Sequence, residues 1–129
     1  MKRAKINYIS LIPLLLLLFV AASCAKEDMP AKPQPSAFTV ELQNKLTAYP
    51  ASGATIELVI NAGSNGWWMV VPEESKAWCK PAKFYGSGNQ TVLVTLAPNT
   101  TGASRKAEIT INPTFNLEPV RLTIEQLPN

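Results

Sequence analysis

Three runs decide the fold: Val92-Leu93-Val94-Thr95-Leu96, Ala107-Glu108-Ile109-Thr110-Ile111 and Val120-Arg121-Leu122-Thr123-Ile124. In each, an apolar residue recurs at every second position, the spacing of a half-buried strand. Working outward, Phe38-Thr39-Val40-Glu41-Leu42 and Ile56-Glu57-Leu58-Val59-Ile60 repeat the pattern, broken only at Val59. Trp68-Met69-Val70 adds a further run, and Ala77–Lys80 a short seventh. Turn-forming clusters separate them: Ala62-Gly63-Ser64-Asn65-Gly66, Gly86-Ser87-Gly88-Asn89 and Pro98-Asn99-Thr100-Thr101-Gly102. No stretch keeps a 3.6-residue period. Seven short, evenly spaced strands predict an all-β antiparallel sandwich. The alternation assigns Ile56, Leu58, Ile60, Trp68, Val70, Val92, Val94, Leu96, Ala107, Ile109, Ile111, Leu122 and Ile124 to its interior.

Of 129 residues, 12 are Lys or Arg, 9 are Asp or Glu and none is His, a formal charge of +3. Three of those cations, Lys2, Arg3 and Lys5, precede the apolar run Ile9–Ala22. Without them nine basic residues face nine acidic ones, so the remainder is neutral and has no electrostatic footprint for nucleic acid. Its roughly 106 residues suffice for one domain.

The N-terminus has a signal-peptide layout: basic Met1–Tyr8, apolar Ile9–Ala22, then small residues before Cys24. Cys24 in that place makes residues 1–23 resemble a bacterial lipoprotein signal, with Cys24 the lipidated first mature residue. An uncleaved anchor and plain secretion are the alternatives. The apolar run is short against the roughly 20 residues that span a bilayer, and it contains Pro13. Lys26-Glu27-Asp28 resembles the surface-export signal of Bacteroidetes lipoproteins. The expected address is therefore the outer membrane, exposed at the cell surface. Residues 24–37, with Pro30, Pro33 and Pro35, read as a flexible tether. Its thirteen residues after Cys24 would reach about 40 Å if extended. The sandwich is expected over 38–129.

Ser64-Asn65-Gly66-Trp67-Trp68-Met69-Val70, then Trp78-Cys79, Gly86-Ser87-Gly88-Asn89, Asn99-Thr100-Thr101-Gly102 with Arg105, and a last strand ending in Gln126 together resemble the BACON domain. That is a Bacteroidetes-associated module often placed beside carbohydrate-active enzymes. The resemblance implies an immunoglobulin-like sandwich and a non-catalytic role tied to glycan use. It implies buried roles for Trp68 and Trp78. Cys79 stands where the family usually has an aliphatic residue, and with Cys24 lipidated it has no disulfide partner. A buried inert thiol and a reactive or intermolecular one are both open.

Trp67, Phe84 and Tyr85 stand where the family usually has small residues. Alternation from Trp68 turns Trp67 outward, together with Met69 and Val71. The connection Asn112–Pro119 is long for a hairpin and carries Phe115 and Leu117. In an up-and-down count, loops 61–67, 84–89 and 112–119 share one end. Trp67, Phe84, Tyr85, Phe115 and Leu117 would then cluster there as a ligand- or partner-binding patch, or fold back as a cap. The chain enters its first strand at that same end. A tip facing its own tether fits docking onto another outer-membrane component better than glycan capture, which calls for a tip pointing outward, unless the flexible tether relieves the conflict.

Catalytic chemistry finds little to work with. The expected domain has seven Glu, no Asp and no His. Glu41, Glu57, Glu108 and Glu125 alternate with core positions, so they face solvent rather than each other across a cleft, as a glycosidase requires. No base is available to a Ser or Thr nucleophile, and no clustered oxygen ligands to calcium. No enzyme activity, metal or cofactor is expected. The expected partners are a membrane through the N-terminal lipid, a glycan, or a protein.

Overall fold

The computed structural model describes residues 31–129. The signal segment, Cys24 and the Lys26-Glu27-Asp28 run lie outside the described residues. The compact unit is Pro33–Asn129. It holds eight strands: β1 Thr39–Leu42, β2 Ala54–Asn61, β3 Gly66–Val70, β4 Cys79–Pro81, β5 Tyr85–Ser87, β6 Gln90–Leu96, β7 Arg105–Pro113 and β8 Val120–Gln126. A single 3-10 turn, Glu73–Ser75, lies between β3 and β4.

The strands form two antiparallel sheets, in the orders β1-β2-β6-β4 and β5-β3-β7-β8. This is the antiparallel β-sandwich that the alternation predicts, in the immunoglobulin-like form that the resemblance implies. It is not an up-and-down meander, because β6 returns between β2 and β4 while β7 joins the opposite sheet. Leu58, Ile60, Val94, Ile109, Ile111 and Ile124 are fully enclosed between the sheets. Each such side chain contributes about 1.5–3 kcal/mol.

One strand has the opposite phase from the one expected. Trp67, Met69 and Val71 are buried, whereas Trp68 and Val70 are half exposed. Trp67 through Val71 is apolar at every position, so alternation cannot fix the phase. Pairing does. Trp68 lies opposite Asn112, and Met69 opposite Ile111, and paired residues share a face. The observed phase buries three large apolar side chains where the other would bury two.

The eighth strand, β5, falls where the glycines predict a turn. Gly86 is the reason it fits. A Cβ there would lie 2.6 Å from Trp67 Cζ2, so only glycine lets the β5 backbone rest on the indole. Leu122 lies at the edge of the core, packed against it rather than enclosed.

We call the end where β2 finishes and β3 begins the near end. The chain arrives there, and its approach is part of the fold. Ser36 N–H donates to Asn65 Oδ1 (3.2 Å), and Asn65 Nδ2 donates to the Ser36 carbonyl (2.7 Å). Ser64 Oγ donates to the Gln34 carbonyl (2.7 Å) and lies 2.8 Å from Ser36 Oγ. The docked segment therefore includes Gln34, four residues before the first alternating run.

Candidate functional site

The reversed phase of β3 builds a surface. Trp68 pairs with Tyr85 on one side and Asn112 on the other. All three side chains therefore share the outer face of the β5-β3-β7-β8 sheet. Tyr85 is 78% exposed and Trp68 47%. The next row toward the far end is Val70, Thr110 and Arg121. Beyond it the face turns ionic, with Arg121 Nε 3.9 Å from Glu108 Oε1 and Lys106 Nζ 3.6 Å from Glu125 Oε2. An aromatic pair flanked by an amide and a hydroxyl thus occupies the near half of this face, and compensated charge the far half.

Beside the pair, along the free edge of β5, runs an open groove of about 690 Å³ lined by Ala82–Ser87 and Gln90. That volume lies within the range of small-ligand sites. Tyr85 belongs to both the face and the groove. Gly86 forms a thin floor over Trp67. Beneath it two polar atoms, Trp67 Nε1 and Gln90 Oε1, are buried without a hydrogen-bond partner. Each such orphan costs roughly 1–3 kcal/mol.

The near end does gather the loops expected there. The Thr114 N–H donates to the Gly66 carbonyl (3.0 Å), and the Gly88 N–H to the Asn65 carbonyl (3.0 Å). Trp67, expected outward, is instead 2% exposed and cannot present a ring to a ligand. Trp68, expected in the core, takes the surface position. Phe84, Tyr85 and Phe115 are exposed, and Leu117 is half buried. Phe115 and Asn116 both have left-handed backbone, φ 61° and 55°. That conformation costs a bulky residue about 1–2 kcal/mol. Asn112, Lys83 and Gln90 were not among the expected site residues. The phase of β7 carries Asn112 outward and was the available signal for it.

The far end is built differently. The Arg105 guanidinium lies 4.4 Å from the Trp78 ring centroid. Its Nε donates to Gln126 Oε1 (2.8 Å), and its Nη2 to the carbonyls of Ala97 (3.0 Å) and Pro98 (3.1 Å). Gln126 Nε2 donates in turn to the carbonyls of Pro50 (3.1 Å) and Ala97 (2.9 Å). Asn99 Nδ2 reaches the carbonyls of Ala103 (2.7 Å) and Leu127 (2.9 Å). Its Oδ1 accepts from the Thr101 amide (3.1 Å) and hydroxyl (2.7 Å). Cys79 is buried and free. Burial pushes its thiol up to about 11, away from the thiolate that reaction requires. Among the described residues no group of three His, Cys, Asp or Glu is placed to hold a metal.

Residues 66–127 match a family model, BACON, whose description reads "Putative binding domain, N-terminal". This is the family that the sequence resembles. The residues that carry the BACON likeness divide by role. Trp78, Asn99, Arg105 and Gln126 clasp the two sheets at the far end, and Asn65 and Gly66 shape the near-end loop. Trp68 and Val70, which also carry the likeness, lie on the exposed face. A solved structure similar to this chain is a Bacteroides ovatus GH5 xyloglucanase in complex with a XXXG heptasaccharide. The likeness has a TM-score of 0.58 and 22% identity, over 70% of this chain and 19% of that one. At that identity it speaks to the fold, and the chain spans about a fifth of the enzyme's length. A comparison with curated proteins finds no match.

Proposed function

We propose that the chain is a non-catalytic carbohydrate-binding module, held at an outer-membrane surface by lipidated Cys24. The observation that carries this reading is the cross-strand pair of exposed Trp68 and Tyr85, with Asn112 beside them. A sugar ring has an apolar face whose C–H groups suit the negative face of an aromatic ring. Its hydroxyls need amide and hydroxyl partners, which Asn112 and Thr110 supply. The family description as a binding domain supports the coarser part of this reading.

The test is a glycan array on the purified chain beside Trp68→Ala and Tyr85→Ala variants. Affinity should fall roughly tenfold or more in each, with melting little changed. Silence of the unaltered chain on dietary and mucin-type glycans sinks the reading. The second reading is a protein-docking module of an outer-membrane assembly. Half-exposed Val70, Phe84 and Phe115 favour it, because they extend the apolar area beyond the Trp68–Tyr85 pair. Anchoring is tested separately: Cys24→Ser should release the chain from the membrane fraction.

A further inference from the structure

The groove beside β5 lies within a stretch that has no acid. From Ser75 through Ala107 the chain contains Lys76, Lys80, Lys83, Arg105 and Lys106 but neither Asp nor Glu. Three of these cations are engaged elsewhere. Lys76 pairs with Glu73, Lys106 pairs with Glu125, and Arg105 lies over Trp78. Among the described residues Lys80 and Lys83 form no ion pair. Lys83 lines the groove directly, next to Phe84 and Tyr85, and is the groove's one charged side chain. The outer face of the adjoining sheet offers no competing field, since Glu108 and Glu125 are matched by Arg121 and Lys106.

Resting on the carbohydrate reading above, we propose that the groove selects an anionic saccharide. Tyr85 and Phe84 carry its ring, and the Lys83 ammonium faces its carboxylate or sulfate. An unpaired ammonium at the lip of an apolar cleft concentrates anions and does nothing for neutral sugars. Lys80 and Lys83 are too few to hold a nucleic-acid backbone, whose binding needs many phosphate contacts.

The experiment titrates the purified chain with tetragalacturonate and with its methyl ester, which keeps the same rings and removes the charge. A sulfated galactan oligomer forms a third arm and separates sulfate from carboxylate. At low salt an acidic oligomer should bind about fivefold tighter than the ester, the range open to one exposed ion pair. The advantage should vanish in Lys83→Gln and at about 0.5 M salt. Lys106→Gln removes the same charge far from the groove and should leave it intact. Equal affinity for acid and ester overturns the proposal while the carbohydrate reading stands. Binding of none of the three oligomers overturns this proposal, and silence across the glycan array as well overturns the carbohydrate reading. Tighter binding of oligothymidylate than of any saccharide replaces the ligand class with single-stranded nucleic acid.

Discussion

The two ends of the sandwich use polar groups differently. At the far end Arg105, Gln126 and Asn99 together donate or accept across four separate segments, Gln126 is fully buried, and one buried hydroxyl, that of Tyr49, has no partner. Beneath the near-end groove two buried polar atoms have no partner, a phenylalanine takes left-handed backbone, and an aromatic pair stands in solvent. Strained backbone and unsatisfied buried groups cluster at binding and catalytic sites of proteins, and well-satisfied polar networks fix a unique fold. Most residues that carry the BACON likeness, among them Trp78, Asn99, Arg105 and Gln126, hold the structure, and Trp68 is the one that also stands beside Tyr85 on the exposed face.

The strongest challenge to that contrast is Gln126→Leu. It removes three hydrogen bonds and leaves the Arg105 Nε and the Pro50 carbonyl without this partner. We expect a loss of about 3 kcal/mol in urea unfolding. A loss below about 1 kcal/mol would mean that the far-end network is decoration.

Cys79 gives a pH-dependent measure of the same end. Its folded pKa of about 11 lies above the ordinary value of 9.0, so the folded state retains the proton that the unfolded chain releases. Its contribution is therefore complete below about pH 9 and is lost as pH rises toward 11. The loss amounts to roughly 2–3 kcal/mol. Cys79→Val should lack this part of the alkaline decline, which the difference between the two unfolding curves isolates.

The smallest effect sharpens the near end. Phe115→Asn replaces a bulky residue at φ 61° with one that tolerates left-handed backbone. Stability should hold or rise by up to about 1 kcal/mol. A fall larger than that would show Phe115 acting as a cap on the core, and the near end would then be structural as well.

The sandwich was legible because alternation is unambiguous wherever polar residues interleave the apolar ones, as in β6, β7 and β8. It failed in Trp67–Val71, where each position is apolar and the phase comes from the partner strand. That single reversal exchanged the roles of Trp67 and Trp68, and with them the centre of the site. The gathering of three loops at one end was readable, since counting strand directions needs no phase. β5 was not readable. Gly86 signals a turn locally, and its actual purpose, clearance above an indole, depends on a residue nineteen positions earlier. The docking of Gln34–Ser36 was equally hidden, because it depends on the buried Asn65 rather than on anything in the proline-rich segment itself.

That docking has a mechanical consequence. A pull on the chain ahead of Gln34 enters the molecule through Ser36, Ser64 and Asn65 at the near end. A ligand gripped at Trp68 and Tyr85 is held two to three residues further along β3 and on its neighbour. Tension between the two therefore takes a short path through one loop and the start of one strand. The hydrophobic core and the far-end clasp lie off that path, so the Ser36–Asn65 hydrogen bonds are the first that a pull at Gln34 would load.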